Sequence, residues 1–211
     1  SSLNRAKKAI EEGLLKEEII PVTVKTRKGE VVVEDDEQPH NANIEKIPTL
    51  RPAFAKDGTV TAANASSISD GSSALVLMRE SEAEKRGLKP LARIVAHSTQ
   101  SQHPSEFTCA PVGAIQTLFQ KTGWTKDDVD LYEINEAFAM VAMMPIKELG
   151  LDPDKVNIHG GACAQGHPVG STGSRLLVTL MHALKRYGKK KGVAALCIGG
   201  GEATAMAIEM L

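Results

Sequence analysis

His167 and Cys197 are the residues whose types and settings point most directly to chemistry in this 211-residue chain. His167 lies in the glycine-dense run GGACAQGHPVGSTG, and Cys197 closes the apolar run GVAALCI just before Gly199-Gly200-Gly201. A histidine titrates near neutral pH and can activate a nucleophile; a loop histidine can equally serve as a structural hydrogen-bonding group. A free cysteine is commonly a small buried hydrophobe. Here the adjoining glycines would offer backbone N–H groups to a developing oxyanion. Asn135 precedes the apolar stretch EAFAMVAMMPIKEL and reads either as a helix cap or as a side chain able to hold a water. The Gly-Ser-Thr turn after His167 hints at an anion site, but a phosphate loop would need a lysine that this turn lacks. His159, Cys163 and His167 recur every fourth residue, which would align metal ligands on a helix, but the glycines and proline among them break such a helix. No metal site is expected. Cys109 and Cys163 read as packing residues.

Placing His167 and Cys197 at one edge of a sheet requires the surrounding elements to alternate. From Pro90 onward the apolar patterning predicts strands at 91–97, 129–134, 156–159, 193–198 and 203–210, with helices at 112–121, 136–149 and 171–187. Such alternation, with short connections, is the pattern of helices packed on a mostly parallel sheet. Only residues 199–202 separate the last two strands, which must therefore be antiparallel and make the sheet mixed. Ligands of open α/β sheets sit at the carboxyl ends of the strands. Asn135, the His167 turn and Cys197 all fall at such ends.

The earlier part of the chain is less regular. Leu3, Ala6, Ile10 and Leu14 mark a helix over 1–18, with Gly13 near its end. Two β-rich pieces flank Lys28-Gly29 as a hairpin, and the acidic run 34–37 reads as a solvated loop. Residues 38–57 read as irregular, with a short helix near Ile44. The run from Ala74 to Met78 reads as a buried strand, followed by a helix capped by Ser81 and ending at Gly87. The start without a methionine, and the open sheet edges around 74–87, read as a truncation with a missing partner.

Composition excludes several classes. Lys plus Arg (25) nearly balances Asp plus Glu (26), and aromatics are 3%, so neither nucleic acid nor an anionic membrane is an expected partner. No apolar run is long enough to span a bilayer. Three widely spaced cysteines fit a reducing compartment, read as cytoplasmic.

Three motifs in order, Asn135-Glu136-Ala137-Phe138, Gly166-His167-Pro168 and Cys197-Ile198-Gly199, joined by LRPAF at 50–54 and NAS at 64–66, resemble the thiolases, most closely the acetoacetyl-CoA type. The resemblance covers the whole chain but matches only the later part of a thiolase. It implies an α/β, layered thiolase-like fold with a βαβαβαββ C-terminal domain and mixed sheet over 90–211. Residues 1–68 would be the later part of a loop domain covering CoA, and 69–89 the last strand and helix of an otherwise missing N-terminal domain.

Carried over by resemblance, His167 activates a nucleophilic cysteine in the missing half and, with a water held by Asn135, forms one oxyanion hole. Cys197 is the acid/base at the α-carbon, and the Gly199 N–H contributes to a second oxyanion hole. Ser66 contacts the pantetheine arm, Phe54, Ala62 and Ile68 line its channel, and Phe107, Ala137 and Phe138 contribute to substrate binding. Where many members have a methionine lining the acyl pocket, Phe107 stands here. An arginine that some members place near the nucleotide aligns near Pro39, with Lys46 as a substitute.

The reaction implied is reversible formation of acetoacetyl-CoA from two acetyl-CoA. CoA thioesters are then substrates, no cofactor is needed, and a homotetramer or homodimer is expected. The scheme calls for a cysteine base with a lowered pKa and predicts ping-pong kinetics. Alternatives are a longer-chain 3-ketoacyl-CoA thiolase, a ketoacyl synthase, or a non-catalytic CoA-binding subunit. The isolated 211 residues are expected to be inactive.

Overall fold

The structure, a computed structural model, describes residues 1–211. Helix α1 (Ser2–Glu11) buries Ala6 and Ala9, and Gly13 then takes a left-handed conformation that ends the helical segment where its glycine was expected to. Arg5 on α1 donates to the carbonyls of Val156 (2.6 Å) and Pro153 (3.0 Å), tying this helix to the loops of the later domain. Strands β1 (Val22–Thr26) and β2 (Gly29–Val33) form the expected antiparallel hairpin, with Val22 opposite Val33 and every residue exposed.

The acidic run does not stay a loop throughout. Asp36 occupies the N-cap position of α2 (Glu37–Asn41), and Glu37 begins the helix. A 3-10 turn over Ile44–Thr49 supplies the expected short helix, with the Asn43 side chain accepting from Glu45 N–H at 2.9 Å.

The buried strand expected at 74–78 is absent. These residues have no strand partner, and Val76 (88% exposed) and Leu77 (64%) face outward. Helix α3 (Glu80–Lys85) follows and stops before the left-handed Gly87; its cap position is Arg79 rather than Ser81.

From here the main body runs β3 (Ala92–Ser101), a 3-10 turn (Pro104–Cys109), α4 (Ala110–Thr122), β4 (Leu131–Ile134), α5 (Ala139–Leu149), α6 (Ala162–Gln165), α7 (Thr172–Arg186), β5 (Lys191–Ile198) and β6 (Glu202–Met210). The four strands lie in the order β3-β6-β5-β4. Only β4 and β5 are parallel; β5 with β6 and β6 with β3 are antiparallel. The sheet is mixed, as expected, but antiparallel pairings predominate because the short β5–β6 turn places β6 inside and β3 closes its far side.

Two cores sandwich this sheet. Ile115 and Leu118 of α4 and Ala142 of α5 pack with Tyr132, Ile134, Val193 and Ala195 on one face. On the other, Leu176, Leu180 and Leu184 of α7 pack with Leu131, Ala194 and Ile208. The apolar spacing of α7 (176, 180, 183, 184) is the one-faced helical stripe that such a layer demands.

The strand expected at 156–159 is reduced to a single parallel bridge from Val156 to Tyr132. Asn157 is the cause. It takes a positive φ of 49°, which turns the chain away from the ladder. Its side chain then serves the edge of β4: Oδ1 accepts from Ile134 N–H and Nδ2 donates to Ile134 C=O, both at 2.8 Å.

Candidate active site

Strand alternation determines which side chains reach the carboxyl edge from each face. Leu131 packs on α7 and Glu133 faces Arg175 of α7, so Asn135, the next residue in phase, emerges on the α7 side. Its backbone N–H donates to Ala195 C=O at 2.9 Å, extending the β4–β5 ladder by one residue. Asn135 is fully buried and is not a cap: α5 begins only at Ala139, with Phe138 in the N-cap position. Asn135 Nδ2 lies 3.4 Å from His167 Nε2, while its Oδ1 is buried without a partner.

His167 is carried by the turn between α6 and α7. Its backbone N–H donates to Ser67 C=O at 3.0 Å, and Ile68 bridges to it in parallel fashion. Gly166 permits this approach: its φ is +90°, and a Cβ there would collide with the Ser69 side chain. Burial, assisted by the nearby Arg175 guanidinium, holds the imidazole below its ordinary pKa of 6.5. The ring is therefore neutral at neutral pH and can accept a proton.

Cys197 lies on the neighbouring strand at the same edge but in phase with Val193 and Ala195, so it emerges on the α4–α5 side. It is 8% exposed and makes no side-chain hydrogen bond to His167. Burial pushes its thiol pKa up, against the lowered value the scheme calls for. In this environment Cys197 rests as a protonated thiol, suited to giving a proton. Gly199 is exposed in the turn joining β5 to β6.

The remaining site residues divide into two groups. Ser66 N–H and Oγ both donate to Ala137 C=O at 3.0 Å, and Ala65 bridges to Phe138, which clips the 64–68 segment onto the Asn135–Phe138 loop. Phe107 meets Phe138 edge to face, with ring centroids 6.1 Å apart. Ile68 is 94% exposed beside His167. Phe54 and Ala62, in contrast, lie exposed on the preceding loop and join none of the site's hydrogen bonds. A cleft of about 470 Å³ opens between residues 69–73 and 168–174, beginning at the residue after His167.

His159, Cys163 and His167 do not converge, and no group of three or more such residues is arranged to hold a metal. His159 Nε2 lies 3.1 Å from Tyr187 OH, while Cys163 Sγ donates to Glu136 C=O at 3.6 Å. Burial and the Glu136 carboxylate push the Cys163 thiol up to about 12, consistent with a packing role.

Two positioning residues stand out that their motif and turn only framed. Glu136, 7% exposed, accepts from Cys163 N–H and from Asn157 Nδ2, both at 3.2 Å, and so joins the Asn135 loop to α6. Gly161 leaves room for this carboxylate, since a Cβ would lie 2.5 Å from Glu136 Cδ. Thr172 places its hydroxyl 2.6 Å from His167 Nδ1. An acid beside the candidate Asn135, and a hydroxyl five residues after the histidine, were the available signals.

With this geometry established, comparison with known proteins is specific. The family model for the thiolase C-terminal domain matches residues 88–210, and that for the thiolase N-terminal domain matches residues 1–81. Cytosolic acetyl-CoA acetyltransferase of Mus musculus is 53% identical over 211 residues, covering 99% of this chain and 53% of that protein. Acetyl-CoA acetyltransferase of Rhizobium meliloti is 49% identical over 212 residues, covering 100% and 54%. Among solved structures, Bacillus anthracis acetyl-CoA acetyltransferase superimposes with a TM-score of 0.95 at 48% identity, over 100% of this chain and 54% of that one. An Ascaris suum thiolase in complex with coenzyme A gives 0.88 at 41% identity, over 100% and 53%. The chain spans about half the length of the curated relatives it matches. It belongs to the thiolase family.

Proposed function

We propose that the protein carrying this chain is an acyltransferase that forms acetoacetyl-CoA from two acetyl-CoA, or cleaves it with CoA, through an enzyme thioester. The observation that carries this reading is the Asn135–His167 pair: a neutral imidazole 3.4 Å from a fully buried amide, at the strand edge where Cys197 also ends. The names of the 53%- and 49%-identical relatives support the acetyl-CoA assignment.

In this scheme His167 takes the proton of a nucleophilic cysteine that is none of Cys109, Cys163 and Cys197 and is supplied outside these residues. The imidazolium so formed and a water held by Asn135 stabilise the thioester oxyanion. Each such donor typically lowers a barrier by about 3–4 kcal/mol. In thiolysis the resting Cys197 thiol protonates the leaving enolate; in condensation the thiolate removes the α-proton. Condensation needs the thiolate in a setting that disfavours it, so the enolate oxygen must be stabilised as it forms; the Gly199 N–H contributes, with the nucleophile, to a second oxyanion hole.

Ser66 and the exposed Phe54, Ala62 and Ile68 meet the pantetheine arm, while Phe107, Ala137 and Phe138 bound the acyl end. Phe107 meets Phe138 edge to face at that end. CoA thioesters are the substrates and no cofactor takes part. The working protein is a homo-oligomer, and the cytosolic naming of the mouse relative supports a cytosolic location. The 211 residues alone, lacking the nucleophile, do not turn over.

The test is an initial-velocity study of the full-length protein with acetoacetyl-CoA and CoA as varied substrates. Parallel reciprocal plots are expected. Intersecting plots, or acylation by acyl-carrier protein but not by acetyl-CoA, would overturn the reading.

A further inference from the structure

His167 has a second ring nitrogen, and its surroundings are as well defined as those of the first. Nδ1 lies 2.6 Å from Thr172 Oγ1, and the same hydroxyl lies 3.0 Å from the Pro168 carbonyl. Thr172 is fully buried at the first turn of α7. Across the ring, Nε2 faces Asn135 Nδ2 at 3.4 Å. A hydroxyl carries one proton and an amide nitrogen can only donate, while a neutral imidazole carries a single N–H.

With that N–H on Nδ1, every contact joins a donor to an acceptor. Asn135 Nδ2–H donates to Nε2, Nδ1–H donates to Thr172 Oγ1, and Thr172 O–H donates to Pro168 C=O. With the N–H on Nε2 instead, two N–H groups face each other. Relief would require Asn135 to turn its amide, burying its NH2 where Oδ1 now lies without a partner.

We propose that Thr172 is a positioning residue that holds His167 as the Nδ1–H tautomer and so keeps the basic lone pair at Nε2, where the Asn135 N–H holds it until a thiol displaces that contact. The tautomer follows from the contacts alone; its catalytic consequence rests on the function proposed above. On proton transfer from a thiol, the S–H bond breaks and an N–H forms at Nε2, giving an imidazolium whose Nδ1–H is still held by Thr172. The new Nε2–H faces the Asn135 amide, so proton transfer breaks the Asn135–His167 hydrogen bond and releases the Asn135 N–H for another acceptor.

The experiment is 15N–1H correlation spectroscopy of the full-length protein labelled at histidine, at a pH above the titration of His167, with that ring assigned by its loss in His167→Gln. The Nδ1–H form is expected to predominate in the parent and in Thr172→Ser. In Thr172→Val the ratio should shift towards Nε2–H by about tenfold, the equilibrium equivalent of one such hydrogen bond. A predominant Nε2–H form in the parent, or an unchanged ratio in Thr172→Val, would overturn the proposal. Should Thr172→Val fail to fold, the parent and Thr172→Ser spectra still decide it. A parent with the Nδ1–H tautomer but no acyl transfer would retire the function and leave the tautomer standing.

Discussion

Asn157 closes both backbone hydrogen-bonding groups of Ile134, accepting from its N–H and donating to its C=O at 2.8 Å each. One side chain thus replaces the neighbouring strand that the apolar pattern at 156–159 predicts. It does so where β4 delivers Asn135 to the site. The same amide also donates to Glu136, so the end of β4, the Asn135 loop and α6 share one buried network.

Asn157→Ala should destabilise the protein by about 2 kcal/mol or more, because two buried backbone groups lose their partners. Asn157→Gly separates the two roles, since glycine keeps the positive φ but removes the amide. Urea unfolding midpoints should fall for both variants, slightly further for alanine. A midpoint unchanged in the glycine variant would show that the amide contributes nothing.

Beneath the site, Glu133 is 2% exposed, with Arg175 Nη1 3.6 Å from its Oε2. Burial raises its carboxyl pKa from 4.5 to about 8, and raises that of Glu18, bonded to Thr179 Oγ1, to about 7. A carboxyl whose pKa is higher folded than unfolded binds its proton more tightly in the folded state. Its stabilising effect is complete below about 4.5 and is lost as pH rises through about 8. The thermal midpoint should therefore decline across that window, and Glu133→Gln should flatten the decline. Equal pH slopes in parent and variant would contradict this.

Arg175 links this cluster to the chemistry. After burial, its positive charge is the second cause that lowers the pKa of His167. In Arg175→Met the His167 titration should move to higher pH, and the acid limb of the rate profile for acylation should move with it. A titration that stays in place, read by histidine NMR, would show that the Arg175 charge does not act on His167. The variant also leaves Glu133 without its cation, so its folding should be checked at low pH, where that carboxyl is protonated.

Much of this architecture was legible in the sequence. The apolar stripe at 176, 180, 183 and 184 and the continuous run ending at Cys197 identify a buried helix against a buried strand without tertiary information. Val76 and Leu77 read as part of a strand whose partner lies outside these residues, and without that partner they lie exposed. Elsewhere the same signals misled. Val156–His159 read as a strand because periodicity cannot register that Asn157 turns the chain and completes the ladder with its side chain.

Of the site, the histidine, asparagine and cysteine were visible as residue types beside turns and strand ends. Their geometry was not. Asn135 read equally well as a cap, and only the start of α5 at Ala139 frees it. The role of Thr172 depends on where α7 begins, since Ser171 and Thr172 differ by one position in the turn. The rise in the Cys197 pKa depends on burial that no spacing rule reports.

In the proposed scheme Cys197 moves the α-carbon proton while His167 serves the acylation half-reaction. Cys197→Ala in the full-length protein separates the two, with covalent acylation by labelled acetyl-CoA and condensation to acetoacetyl-CoA measured in the same preparation. Acylation is expected at close to the parent level, and condensation reduced by about 10²–10⁴-fold, the usual contribution of a general acid–base group. Condensation close to the parent rate, or loss of acylation along with it in a folded variant, would contradict the scheme.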